Sequence, residues 1–119
     1  MSILSSTKTG KSAFLIPETK DELVQMISNE IKEKGFYCNL NHIKTHKITN
    51  MLCLFMYSFF NGDISEWDVS NVKDMRWMFQ SSSFNQDLSK WRINPKCEIY
   101  GMFENCKIKD EYLPKIAKN

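Results

Sequence analysis

Cys38, His42 and His46 stand in a C-x3-H-x3-H spacing. Thiolate and neutral imidazole are ligands that zinc prefers, so this set invites a zinc reading. A closed structural site needs a fourth ligand, and the next cysteine, Cys53, falls in a different type of segment; no metal is assigned. Thr7-Lys8-Thr9-Gly10-Lys11-Ser12 ends in the G-K-S of a phosphate-binding loop. The first glycine of that motif would fall on Ser5, no strand pattern precedes it, and Pro17 follows too soon for a long helix. Residues 1–17 read instead as a flexible N-terminal arm. Asp63, Glu66, Asp68 and Asp87 could form a catalytic carboxylate pair, and Cys97 or Cys106 could serve as a nucleophile. Neither reading survives the spacing of the chain.

That spacing is a repeat. Phe60-Asn61-Gly62-Asp63-Ile64-Ser65-Glu66-Trp67-Asp68-Val69 matches Phe84-Asn85-Gln86-Asp87-Leu88-Ser89-Lys90-Trp91-Arg92-Ile93 at an offset of 24. Met75, Met78 and Phe79 recur as Ile99, Met102 and Phe103, and 24 residues earlier as Met51, Leu54 and Phe55. Three repeats therefore start near residues 36, 60 and 84, with a partial fourth at Ile108. Asp63 and Asp87 hold the same post in successive repeats, which assigns them to a turn. Cys97 aligns with Lys73 and Thr49, Cys106 with Ser82 and Ser58, and no histidine accompanies either one. The expectation is a non-enzyme with no catalytic residue, cofactor or metal.

Two periodicities share each repeat. Apolar 67 and 69 alternate with polar 66, 68 and 70, the period of a short half-buried strand. Apolar 75, 78 and 79 then follow the i, i+3, i+4 spacing of one helical face. Strand then helical turn every 24 residues predicts a small α/β, leucine-rich-repeat-like solenoid of three strand–turn–helix units over 36–107. Thr19-Lys20-Asp21-Glu22 has the capping-box pattern, Leu23, Val24, Ile27 and Ile31 form an apolar face, and Gly35 is a helix stop. An N-terminal capping helix is therefore expected within 18–35, and a C-terminal cap and tail over 108–119.

The segments FNGDISEWDVSNVKDMRWMF and FNQDLSKW closely resemble the tandem repeats of BspA-type, leucine-rich-repeat-like surface proteins. The carrying pattern, W-D-V-S-N-V-x-x-M-x-x-M-F, runs from Trp67 to Phe79, and the likeness covers roughly residues 18–115. Long members of that family are surface chains linked to adhesion. The resemblance implies an interaction scaffold without a catalytic site.

Function is thus sought on surfaces. With 67 and 69 inward, the columns His42/Glu66/Lys90 and Lys44/Asp68/Arg92 face outward, either as an inter-strand charge ladder or as a recognition face. With 75, 78 and 79 inward, Arg76 and Trp77 face outward beside Tyr100, a composition typical of binding hot spots unless Trp77 lies flat on a neighbouring coil. In the first repeat Leu52, Cys53, Met56 and Tyr57 are apolar where later repeats are polar, so either the N-terminal helix or a partner covers them.

The 119 residues suit one small domain, and 13% aromatic content excludes disorder. Sixteen basic against 14 acidic side chains leave no dense basic track, which disfavours nucleic acid. The longest apolar run, Met51 to Phe60, is far short of the about 20 residues that span a bilayer. No signal-peptide pattern opens the sequence, and the four cysteines lack CxxC spacing, so a cytoplasmic protein with reduced thiols is expected, at the surface only if a leader was removed. The partner expected is another protein. The activity expected is non-catalytic binding, as an intracellular inhibitor or adaptor of a larger protein, with a short relative of cell-surface adhesion proteins as the alternative.

Overall fold

A computed structural model describes residues 15–118. The one α-helix among them, α1, spans Lys20–Lys34. The Thr19 hydroxyl accepts a hydrogen bond from the Glu22 N–H at 3.2 Å, and the Glu22 carboxylate accepts from the Glu18 N–H at 2.7 Å. The first bond satisfies one of the helix's unpaired N-terminal donors, and the second ties the residue before the N-cap to the first turn. Gly35 ends the helix at φ 91°, its N–H donating to the Ile31 carbonyl. Leu23 and Ile27 are buried against the rest of the chain, whereas Val24 is exposed.

The strand–turn–helix solenoid expected from the sequence does not form. Residues 64–70 contain no strand, and residues 75–82 contain no helix. The strands among the described residues are β1, Arg92–Ile93, and β2, Lys115–Ile116, paired in parallel. Residues 110–112 add a single 3-10 turn. The described residues are otherwise turns, isolated bridges and irregular stretches.

The reason lies in the backbone of three runs, residues 51–58, 75–82 and 99–106. Cys53 and Tyr57, Trp77 and Ser81, and Gly101 and Asn105 all have φ between 53° and 66°. A left-handed residue every fourth position stops any right-handed helix from growing. Each run instead closes local turns: Met78 N–H donates to Met75 O, Gln80 to Trp77, and Ser82 to Phe79, at 3.1–3.2 Å. Such i to i+3 turns leave 75, 78 and 79 pointing inward, as a helix would have done. Met75, Met78 and Phe79 are fully buried.

Donors not used locally reach the next run. The N–H groups of Met51, Cys53, Phe55 and Tyr57 donate to the carbonyls of Asp74, Arg76, Met78 and Gln80 at 2.7–3.0 Å. Those of Met75, Trp77, Phe79 and Ser81 donate to Glu98, Tyr100, Met102 and Glu104 at 2.8–3.0 Å. Isolated parallel bridges join Asn50 to Asp74 and Asp74 to Glu98 along the same line. The two ends differ: Leu15 bridges to Ile43 at the first layer, and β2 lies along the third.

Between the turn runs and the opposite face lies a core of aromatic and aliphatic side chains. Phe55, Phe79 and Phe103 stack at 5.5 and 5.3 Å, Phe60 and Phe84 at 6.1 Å, and Trp67 and Trp91 at 6.5 Å with 10° between planes. Offset stacking of this kind adds about 0.5–1.5 kcal/mol per pair beyond area burial. Each core tryptophan also satisfies its buried donor: Trp67 Nε1–H donates to Leu40 O and Trp91 Nε1–H to Ile64 O, both at 3.0 Å. Phe36, which opens the first repeat as Phe60 and Phe84 open the next two, is instead exposed and meets Phe59 edge-on at 5.8 Å.

Turn chemistry fixes the layers. Asn39, Asp63 and Asp87 each accept from the backbone N–H two residues on, at 2.7–2.9 Å. Asn61 accepts from the Asn85 N–H at 2.8 Å, and Asn85 from the Lys109 N–H at 2.9 Å. Gly62 is demanded by close approach, since a Cβ there would stand 1.9 Å from the Cys38 carbonyl oxygen.

Candidate functional site

Arg76, Trp77 and Tyr100 come together on the turn runs. Trp77 N–H donates to the Tyr100 carbonyl at 3.0 Å, which brings the two rings edge-to-face with centroids 5.4 Å apart. The Arg76 guanidinium lies 5.9 Å from the Trp77 ring centroid. It is held there by a two-point bond to Asp74, Nε to Oδ1 at 3.0 Å and a terminal nitrogen to Oδ2 at 2.9 Å, with Glu98 3.5 Å away. The guanidinium bond holds the Asp74 carboxyl below the usual carboxylate range. Trp77 is half-buried and lies on Gly101, whereas Tyr100 is 72% exposed. The result is a cation and two aromatic faces fixed in advance, which lowers the entropy a contact must overcome.

Beside this cluster an open groove of about 590 Å³ runs along the third turn run. Ile99, Tyr100 and Met102 form one side and Leu113, Pro114 and Ile116 the other. The tail sets the far wall: Leu88 N–H donates to Tyr112 O, Lys115 N–H to Trp91 O, and Ala117 N–H to Ile93 O. Among the described residues the tail's backbone bonds go to residues 88–93 and none goes to residues 99–105.

The outward columns are arranged differently from an alternating charge ladder. Lys90 Nζ meets Glu66 Oε2 at 2.9 Å, and this bond raises the lysine's pKa. His42 turns from that column to Glu30 of α1, Nε2 to Oε1 at 3.2 Å, where Lys34 also pairs at 2.9 Å. Asp68 serves its own turn, accepting from the Ser70 hydroxyl at 2.6 Å and the Ser70 N–H at 3.0 Å, which lower its pKa. Arg92 donates to the carbonyls of Ser89 and Trp91, and Lys44 Nζ to that of Asn41. This face is thus a set of turns joined across layers by the Glu66–Lys90 pair and by side-chain bonds, Asn71 donating to the His46 carbonyl and Asn94 to that of Ser70.

Tyr57 is 67% exposed and separate from both groups. The first turn run around it is covered in part by α1: Lys20 Nζ donates to the Leu52 carbonyl, and Val24, Ile27 and Ile31 face Leu54 and Phe55 across a smaller groove. Exposed Phe59 beside Tyr57 was not among the residues singled out from sequence. Its pairing with Phe36 crosses repeats and leaves no mark in either repeat's own pattern.

Among the described residues no three His, Cys, Asp or Glu side chains gather where they could hold a metal ion. Cys38 is buried, while His42 pairs with Glu30. The phosphate-loop-like Thr7–Ser12 lies outside the described residues. No helix among the described residues is long and apolar enough to cross a membrane.

Fold and site together define a small protein of layered turns around an aromatic core, with an apolar groove at one end of the layers. The chain belongs to the family described as Mycoplasma protein of unknown function, DUF285, whose model matches residues 21–115. No curated protein and no solved structure matches it.

Proposed function

We propose that the protein is a non-catalytic protein-binding module, an inhibitor or adaptor of a larger protein, and that it binds through the end of the stack formed by Arg76, Trp77, Tyr100 and the adjoining groove. The observation that carries this reading is the pre-ordered cluster: an exposed Tyr100 ring, a Trp77 ring and an Arg76 guanidinium already fixed to Asp74. Tyr, Trp and Arg are the residues in which interface energy concentrates, at about 2 kcal/mol or more each when central. The likeness of Trp67–Phe79 to BspA-type repeats points the same way, since that resemblance implies a scaffold for interactions. All four cysteines are unpaired thiols, which suits a module working in a reducing intracellular compartment.

The test is affinity capture from the native cell with the wild type, an Arg76→Ala/Tyr100→Ala variant, and a Lys90→Ala variant on the opposite face. The reading expects a partner whose recovery falls at least tenfold with the first variant and stays unchanged with the second. Equal recovery by all three would remove the cluster from the interface.

A further inference from the structure

The turn runs use a repeated arrangement of backbone donors, and the last run leaves it incomplete. In the first run the N–H groups of Met51, Cys53, Phe55 and Tyr57 donate to carbonyls of the second, and the second run's Met75, Trp77, Phe79 and Ser81 donate to the third. The equivalent donors of the third run are Ile99, Gly101, Phe103 and Asn105. Among the described residues none of these four N–H groups has a hydrogen-bond partner, while Met102, Glu104 and Cys106 close the local turns between them. The four donors lie along the run that lines the apolar groove described above.

We propose that this rim binds a polypeptide segment of a partner by backbone addition: the segment lies on residues 99–105 as one more turn run and presents its carbonyls to the four N–H groups. The inference rests on the protein-binding reading and specifies the kind of partner. A row of unpaired main-chain groups is a template for another chain, with backbone bonds supplying affinity and side-chain positions supplying selectivity. The required side chains follow from the two junctions already inside the molecule. Phe55 stacks on Phe79 and Phe79 on Phe103, at 5.5 and 5.3 Å and with 11° and 2° between planes, so the segment carries an aromatic ring to stack on Phe103. The residue one position before that ring is apolar, matching Met78 and Met102, which precede the ring in the second and third runs and are buried.

A second copy of this chain does not fit. The outer side of the third run offers donors only, so two such rims facing each other have no acceptors between them. A head-to-tail contact would need the carbonyls of the first run, and there α1 lies over the run with Lys20 bonded to the Leu52 carbonyl.

The experiment is titration of the full, isotope-labelled chain with a nine-residue peptide of the sequence of residues 74–82, blocked at both ends, followed by amide NMR. The peptide carries the acceptor row and the stacking ring. The proposal expects saturable shifts and slowed hydrogen exchange at Ile99, Gly101, Phe103 and Asn105. It also expects at least a tenfold loss of affinity both for a peptide with serine in place of the phenylalanine and for the Phe103→Ser protein, whose other amide signals report whether it is folded. If Phe103→Ser unfolds the chain, the peptide substitution alone decides. Shifts elsewhere, no shifts at millimolar peptide, or protection of the rim on raising protein concentration without peptide would overturn it. If the peptide fails while capture remains sensitive to Arg76→Ala/Tyr100→Ala, backbone addition is wrong and the binding module stands; if capture too is insensitive, the module reading falls.

Discussion

The indole of Trp77 lies on Gly101 of the next layer so closely that a methyl group built on the glycine would stand 2.4 Å from ring atoms Cδ1 and Nε1. Both residues occupy the same left-handed position of their runs, at φ 53° and 66°. A bulky residue at positive φ costs roughly 1–2 kcal/mol, which the surrounding layers must offset. Gly101→Ala should displace the indole and add backbone strain, lowering stability by about 1–3 kcal/mol. Urea unfolding and tryptophan emission check this. An unchanged midpoint would show that the ring does not rest where the structure puts it.

Gly62 and Gly35 make a contrasting pair. A Cβ at Gly62 meets the Cys38 carbonyl oxygen at 1.9 Å, whereas a Cβ at Gly35 meets nothing within 4 Å but keeps the strain of φ 91°. Gly62→Ala should therefore cost about 3 kcal/mol or more through forced backbone movement, and Gly35→Ala about 1 kcal/mol. The order of the two unfolding free energies is the outcome that matters.

Acid should weaken the turns. Local hydrogen bonds from Ser65, Ser70, Arg76 and Ser89 hold the carboxyls of Asp63, Asp68, Asp74 and Asp87 below their usual range. A carboxyl with a lowered folded pKa contributes stability above its unfolded value of about 3.9 and loses it as pH falls through the folded value. Urea midpoints should be flat between about pH 5 and pH 8 and fall below about pH 4, with a shallower fall in Asp68→Asn than in the wild type. Parallel curves for the two proteins would contradict the role given to Asp68.

Burial pushes the Cys97 thiol up to about 11, with Asp74 adding to the effect. Only the thiolate reacts, and an unfolded cysteine titrates near about 8.5, so native Cys97 should alkylate more than tenfold more slowly at pH 8 than in denaturant. Since the folded state holds its proton more tightly, this group also removes stability as pH rises from about 8.5 towards 11. Mass spectrometry of iodoacetamide-treated protein reads the rate at this cysteine; equal rates in native and denaturing buffer would contradict the burial.

What the sequence revealed and concealed has a physical division. Inward positions were legible, because Phe60, Phe84, Trp67, Trp91, Val69, Ile93, Met75, Met78 and Phe79 are apolar at fixed spacing and all are buried. The limits of α1 were legible too, from Thr19, Glu22 and Gly35. The conformation of the second half of each repeat was not. Consecutive i to i+3 turns place 75, 78 and 79 inward as well as a helix does, so burial spacing does not separate the two. One residue carried the missing signal: Gly101 falls in the column of Cys53 and Trp77, where a glycine marks a backbone that needs positive φ. The short alternating stretch at 66–70 likewise gave the correct faces without forming a strand, Asp68 and Ser70 bonding within their own turn and Glu66 to Lys90 of the next layer. Of the candidate contacts, Arg76, Trp77 and Tyr100 converge because their layers are adjacent, while the rim of donors beside them is a property of the backbone that no side-chain pattern encodes.

Amide hydrogen exchange in the free protein tests the arrangement most directly. Exchange should be slow at Met51, Cys53, Phe55, Met75, Trp77 and Phe79, whose N–H groups bond to the next run. It should be fast at Ile99, Gly101, Phe103 and Asn105, which have no such acceptor among the described residues. Comparable protection in all three runs would contradict the account, because the end assigned to binding would already be covered.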